Sequence, residues 1–415
     1  MTEGISGAQR LTILVTVALA AFLVSVSVGM NAVIFPTTLQ AYGASTSVVG
    51  VIMSVEIISI LVISAGVPKI VATIGARTAM LLTVLFRVPA LILLCFVTDI
   101  PMWGLLVFIH GIGNFLFVLL LQAWLNDAAS EQTRGLSLAI LGTSLSLGLA
   151  GGPIVLSQIE PYHAELLSIL EHVAPFVSDN LGNVVSGAED ITQQTQAELT
   201  ASAIISLLAV VPLLLTALFV RHVEAQEQGS LKEVVWKTPA AMFAVMMAGV
   251  SIYGVQSFIV IYGILNDMSI TKASFLLTAF MVGSITLEAP IAWLSDFVDR
   301  RYVIMVGALL SLTCAVFLPM AIYTNVLALG LLYIWGGVIG GLYSTCLALI
   351  GDRYSGGELI AANAAFWVMD SIGGVIGVLL IGLSIDVFGS DGLPYVIMLA
   401  SVVYFSYALT RYRVE

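Results

Sequence analysis

Apolar residues run through this chain in long stretches, and polar residues gather in short clusters between them. Marking breaks at polar or Gly/Pro punctuation leaves twelve apolar runs, at 11–36, 47–68, 78–98, 101–125, 136–157, 200–220, 239–263, 273–295, 302–322, 325–350, 359–384 and 393–410. A helix needs about 20 apolar residues to cross about 30 Å of hydrocarbon. The pattern therefore predicts an all-α membrane protein with twelve transmembrane helices. The run after Arg10 is too long for the core of a signal peptide and has no small-residue cleavage site, so it reads as a retained first span.

Two segments break the pattern. Residues 158–199 carry seven acids, two histidines and no Lys or Arg. Within them Leu166, Leu167, Leu170, Val173 and Val177 recur at helical spacing, which predicts an amphipathic helix inside an external insertion between spans five and six. This insertion reads equally as a solvated spacer or a functional lid. Residues 221–238 form a polar linker between spans six and seven. The expected organisation is a first six-helix bundle at 1–220, this linker, and a second bundle at 239–415.

The placement of basic residues gives an independent check on the count. With the N-terminus in the cytoplasm, Arg10, Lys69, Arg77, Arg134, Arg221, Lys232, Lys237, Arg300, Arg301, Arg353, Arg411 and Arg413 all fall on the cytoplasmic side. Lys272 alone falls outside, and Arg87 lies within a span. Cytoplasmic loops collect Lys and Arg, and an odd number of spans would scramble this segregation. Both termini are therefore expected in the cytoplasm, with the protein in the cytoplasmic (inner) membrane.

Composition narrows the function classes. Of 415 residues, 60% are hydrophobic and 9% are charged, with a net charge of −11 and a mean hydropathy of +1.08. Charges that sparse cannot coat a soluble globule, and a nucleic-acid binder would need a basic face. Cys95, Cys314 and Cys346 lie in apolar runs without metal-ligand spacing, and read as small hydrophobes rather than disulfides. No metal site, cofactor fingerprint, phosphate loop or nucleophile–base pair stands out, so no cofactor and no enzyme activity is expected.

The halves resemble each other at an offset of about 225 residues. Asp127, Ser130, Gly148 and Gly152 line up with Asp352, Ser355, Gly373 and Gly377, and the loop Ile74-Gly75-Ala76-Arg77 matches Val298-Asp299-Arg300-Arg301. Parallel six-helix repeats are the plan of major facilitator transporters. The chain resembles that superfamily over nearly its whole length, and within it is most similar to the YcaD-like branch of bacterial permeases. The family's loop signature, G-x-L-a-D-r-x-G-r-k, appears as Ala292-Trp293-Leu294-Ser295-Asp296-Phe297-Val298-Asp299-Arg300-Arg301. The first-half copy, Pro68 to Arg77, has Ala72 at the acidic position. Thr133-Arg134-Gly135 also matches, whereas the Arg often found early in the fourth helix is replaced by Val107. Gly151-Gly152-Pro153 matches the family's drug/proton exchange tract in part only, which argues against that activity.

The resemblance implies two pseudo-symmetric six-helix bundles rocking about a midplane site. It implies a cytoplasmic gate formed by Asp296, Arg300, Arg301, Lys69, Arg77, Asp127 and Arg134, in which Asp296 pairs with Arg300 or Arg301 and faces a helix N-terminus.

A charge at the bilayer centre costs about 2.5–3.5 kcal/mol on insertion scales, which makes each one a functional candidate. There are four, Glu56, Arg87, Glu288 and Asp370, with His110 a fifth titratable group. Asp370 leads, because small residues follow it (Ser371, Gly373, Gly374) and the resemblance puts span eleven along the central cavity. It reads either as a proton carrier or as a carboxyl held protonated against a neighbouring helix. Glu56 and Arg87 read as a structural pair or as switching partners. Glu288, before Ala289-Pro290, reads as a cavity or a hinge-supporting residue. Asn31, Asn114, Gln122, Tyr253, Gln256, Tyr343 and Asn363 are neutral polar groups at cavity depth. The leading expectation is a monomeric, proton-coupled secondary transporter of a small solute, with the lipid bilayer as its other partner. A membrane scaffold or receptor using 158–199, and a permease subunit of a larger complex, are the alternatives.

Overall fold

A computed structural model of the chain describes residues 7–64, 70, 73–128, 134–181, 192–217, 235, 237–354 and 356–411. Every regular element among them is helical. The first half comprises α1 (Gly7–Ala41), α2 (Thr46–Ser64), α3 (Ala76–Leu94), α4 (Ile100–Ala128) and α5 (Arg134–Leu156). It continues with α6 (His163–Leu181), α7 (Gln193–Leu208) and α8 (Val210–Ala217). The second half comprises α9 (Pro239–Leu265), α10 (Ile270–Leu294), α11 (Arg300–Ala321), α12 (Asn325–Arg353), α13 (Gly356–Phe388) and α14 (Gly392–Arg411).

Ten segments are long and apolar enough to cross a bilayer; the last, Ala362–Thr410, holds two successive helices, and Thr78–Leu94 adds a shorter apolar one. Counted helix by helix, the described residues hold the twelve expected spans. The side chains on their outer faces are apolar, with Leu85, Val306 and Leu399 half or more exposed. Such a surface is stable against acyl chains and unstable in water.

Helix ends depart from the sequence expectation for local reasons. α1 runs on through Pro36, which had been expected to end it. In lipid no water is at hand to take up backbone groups freed at a break, so proline is accommodated within a continuing helix. α7 starts about two turns earlier than its apolar run, because Thr192 Oγ1 accepts the Thr195 N–H at 3.2 Å and caps it. The expected amphipathic helix in the insertion is α6, with Leu170 and Val177 buried and Phe176 exposed.

The chain divides into two compact units, one formed by residues 1–42 and 58–225, the other by 43–57 and 226–415. In the first unit Ile13, Val17, Phe117, Leu121 and Trp124 belong to one apolar core; in the second Val245, Ile304, Cys346, Phe366 and Tyr404 do. In each unit glycines bring helices into backbone contact. In the first unit a methyl at Gly148 would collide with the Phe22 carbonyl of α1, and one at Gly152 with Gly29 and Met30. In the second unit Gly373 meets the Met246 carbonyl of α9, and Gly377 meets Val250. These glycines are the ones the internal repeat aligns, so the two units share a packing device as well as a sequence pattern.

The unit boundary does not follow chain order. The first half of α2 belongs to the second unit because Asp386, near the end of α13, caps it. Asp386 Oδ1 accepts Thr46 N–H at 2.9 Å and Thr46 Oγ1–H at 2.5 Å, and Oδ2 accepts Ser47 N–H at 2.9 Å. A methyl at Gly50 would sit 2.8 Å from the Val378 carbonyl oxygen. Of the expected linker 221–238, all but Val235, Lys237 and Thr238 lie outside the described residues.

Candidate functional site

The polar groups inside the spans fall into three clusters. The first surrounds Asp370, which is 2% exposed on α13. Gly249 and Gly373 let α9 and α13 touch, with the ring of Tyr253 against Gly374. That crossing brings the Tyr253 hydroxyl to Asp370, donating to Oδ2 at 3.3 Å. Oδ1 is buried and has no hydrogen-bond partner among the described residues, and neither has Ser371 Oγ. On the next helix Tyr343 packs edge-on against Phe366, with centroids 4.8 Å apart.

Glu288 is half-buried on α10 and accepts a hydrogen bond from Ser344 of α12. The α10–α12 crossing that sets this register is again glycine-lined, with Gly337 against Leu287 and Gly341 against Ile291. Gln256 Nε2 lies 3.9 Å from the sulfur of Met281. Asn363 is exposed, and Glu56 is half-buried on the part of α2 that belongs to the second unit. Asp370 and Tyr253 are thus brought together, and Glu288 is held by a different helix.

The second cluster is a file of side chains through the first unit. Arg87 is 2% exposed on α3 and lies over Gly113 of α4, where any larger residue would displace it. Its guanidinium carbon sits 5.7 Å from the centre of the Phe117 ring, a cation–π contact. Its Nη2 donates to Ser206 Oγ at 3.4 Å, and Ser206 Oγ donates to Ser27 Oγ at 2.8 Å. Ser27 Oγ and Ser202 Oγ are 2.7 Å apart, and Ser202 Oγ donates to Asn31 Oδ1 at 2.7 Å. Asn31 Nδ2 meets His110 Nε2 at 3.4 Å. The sequence singled out Arg87, Asn31 and His110 separately and missed the serines that join them. The signal available was their spacing: Ser27 and Asn31, and Ser202 and Ser206, lie four apart and so on one face of their helices. Asn114 stands one turn past His110, its Oδ1 buried without a partner among the described residues. Gln122 is half-buried further along α4. Arg87 and Glu56, read together from the sequence, fall in different units.

The third cluster is the loop signature. Arg300 pairs with Asp296 at 3.3 Å and with Asp352 at the end of α12, while Asp299 Oδ1 accepts the Arg301 N–H at 2.9 Å and caps α11. The sequence chose Arg300 or Arg301 for Asp296, and Arg300 is the one seated there. Asp352 was aligned with Asp127 but not placed in the gate; their alignment was the signal. On the first-half side, Lys69 lies outside the described residues, as do the side chains of Arg77, Asp127 and Arg134.

Comparison with known proteins places this arrangement. The sequence profile of the Major Facilitator Superfamily matches residues 17–271 and 241–415. A protein of Bacillus subtilis (strain 168), described as the uncharacterized MFS-type transporter YfkF, is 24% identical over 312 residues, covering 72% of this chain and 69% of its own. Among solved structures, a bacterial homologue of the human lysosomal transporter Spinster, inward-facing and unoccupied, superposes with a TM-score of 0.77. It shares 12% identity over 97% of this chain and 96% of its own. The nucleoside transporter NupG superposes at 0.72, with 13% identity over 97% and 99% of the two chains. At such identities these structures carry the fold alone. The matches reach the level of the superfamily and not of a branch within it.

Proposed function

The chain belongs to the major facilitator superfamily, and from that premise we propose that it is a secondary active transporter that moves a small solute by alternating access and couples the movement to protons. It is a multi-pass membrane protein. The reading puts it in the cytoplasmic membrane as a monomer, both termini in the cytoplasm, working as a carrier without a cofactor rather than as an enzyme.

The observation that carries proton coupling is the environment of Asp370. A carboxylate that is 2% exposed, with one oxygen unpartnered and the other held by a tyrosine hydroxyl alone among the described residues, is costly when ionised. The same group is well accommodated as the neutral acid while it is dry, and as the carboxylate once water or a cation reaches it. A group that exchanges those forms as its surroundings open and close does what proton coupling requires. Glu288, tied to Ser344 on the other helix pair, is the second acid of the pathway. Arg300 between Asp296 and Asp352 is the ionic contact that a cytoplasmic gate must break and remake.

The test uses purified protein in proteoliposomes loaded with a pH-sensitive dye. They are challenged with a panel of sugars, amino acids, nucleosides, organic anions and lipophilic cations. The expected result is solute-dependent proton movement that falls at least about tenfold in Asp370→Asn, with the melting temperature of the variant unchanged. Proton-linked flux that survives in Asp370→Asn makes this residue structural and removes the support for coupling.

A further inference from the structure

The internal repeat sets the polar file of the first unit against a different group of residues in the second. The register that matches Arg77 to Arg301 matches Arg87 of α3 to Ser311 of α11. The register that matches Asp127 to Asp352 matches His110, Gly113 and Phe117 of α4 to Trp335, Val338 and Leu342 of α12. On α1 and α9 the carbonyls of Phe22 and Met246 meet the paired glycines Gly148 and Gly373, which matches Ser27 to Ser251. An arginine lying over a glycine and a phenylalanine ring is thus exchanged, position by position, for a serine, a valine and a leucine. Serine is far shorter than arginine, and a cavity lies against it.

That cavity, of about 20 Å³, is walled by Ser251, Ser311, Ser401, Tyr404 and six apolar residues of α9, α11, α12 and α14, Leu342 among them. The three serines come from three helices, and each is at most 6% exposed. Trp335 Nε1 donates to Ser311 Oγ at 3.0 Å. Ser401 Oγ stands 3.5 Å from Ser311 Oγ, longer than an ordinary hydroxyl hydrogen bond. Ser251 Oγ makes no hydrogen bond among the described residues. A hydroxyl buried in that way is destabilising unless something in the cavity answers it.

We propose that the cavity binds one water molecule, hydrogen-bonded to Ser251, Ser311 and Ser401, which joins α9, α11 and α14 where the first unit uses the guanidinium of Arg87. Volume and chemistry both select water. A single water needs about 10–15 Å³ and two to four polar partners. The cavity exceeds that volume and supplies three hydroxyls, each able to give and to take a hydrogen bond. A solute of several heavy atoms does not fit. A sodium ion is excluded by charge, because no carboxylate lines the wall and the Trp335 N–H points at Ser311. An unpaired cation among apolar side chains is costly. Water keeps this crossing neutral at the place where the first unit holds a cation.

The site stands apart from proton coupling, and its test needs no transport. The full-length protein in lipid nanodiscs is labelled with 15N-tryptophan, and the Trp335 indole signal is identified by its loss in Trp335→Phe. Trp335 is 0% exposed, so magnetisation that passes from water to its N–H reports water inside the second unit. We expect that transfer in the unaltered protein and its loss in Ser251→Val, whose branched side chain takes up the cavity. Ser251→Ala keeps the cavity and removes one partner. With water bound, its melting temperature should fall by about 2 °C, the value of one hydrogen bond. With a dry cavity it should rise, because an unanswered hydroxyl is gone. Replacing sodium by choline in the buffer should change neither readout. Absence of transfer to Trp335, transfer that survives Ser251→Val, or a melt that does not fall in Ser251→Ala overturns the proposal, and a sodium-dependent melt overturns the choice of water. A dry cavity leaves the coupling proposed above untouched, and a protein without proton-linked flux leaves this site standing.

Discussion

Asp370 and Asp386 sit about four turns apart on α13, and their surroundings give them opposite work. Asp386 is exposed and holds two backbone N–H groups and one hydroxyl at the start of α2. An ionised carboxylate at a helix N-terminus meets the positive end of the helix dipole as well as those donors. We therefore expect Asp386→Ala to cost about 1 kcal/mol, the value of a lost cap discounted for exposure. That corresponds to a fall of about 2–3 °C in a thermal melt, with Asp386→Asn retaining part of it; an unchanged melt would show that water replaces the cap at no cost. Asp370 was legible in the sequence because a charge in an apolar run is rare enough to single itself out. The serines of the file were not. Many hydroxyls in these helices bond their own backbone, as Thr16 does to Thr12 and Ser54 to Val51, and the four-residue spacing of Ser27 with Asn31 and of Ser202 with Ser206 puts each pair on one helix face without saying which helices meet there. Ser27 and Ser202 are 175 residues apart in the chain and 2.7 Å apart in space.

Helices in a bilayer gain little from apolar burial against one another, since lipid is equally apolar, so close backbone contact carries more of their association. The glycines of α5 and α13 show what this asks of the sequence. A methyl at Gly373 would overlap the Met246 carbonyl and one at Gly148 the Phe22 carbonyl, whereas one at Gly142 meets nothing within 4 Å. The same substitution should therefore have opposite effects along one helix. Gly142→Ala gains helix propensity, up to about 1 kcal/mol, while Gly148→Ala and Gly373→Ala force a carbonyl aside and should cost about 1–3 kcal/mol. Folded yield and thermal melts of the three variants check this, and equal behaviour of all three would show that the crossings yield freely. The existence and number of the helices were legible because the apolar runs are long. Their ends were less so: Pro36 and the polar first turn of α7 look like stops by rules learned in water, and the bilayer and a local cap override them. The repeat that aligns Gly148 with Gly373 was legible, and its meaning as a shared crossing became visible only in three dimensions.

At the scale of the whole molecule the sequence carries a vector as well as a count. Twelve of the fourteen Lys and Arg residues fall on one side of a twelve-span topology, and such residues resist translocation across the membrane. The reading fixes the side of every loop at once, so it can be broken at any one of them. Phe176 on α6 is 70% exposed in the insertion that lacks basic residues, and Tyr302 is 61% exposed beside Arg300 and Arg301. The three native cysteines are buried and leave a quiet background for labelling. A membrane-impermeant maleimide added to intact cells should label Phe176→Cys and leave Tyr302→Cys untouched until the membrane is opened. The reverse pattern would invert the molecule and put the Asp296–Arg300–Asp352 contact on the external side. Labelling of both positions from outside would mean that an even number of crossings separates α6 from α11 instead of the expected three, and the correspondence between charge segregation and the twelve helices would fail with it.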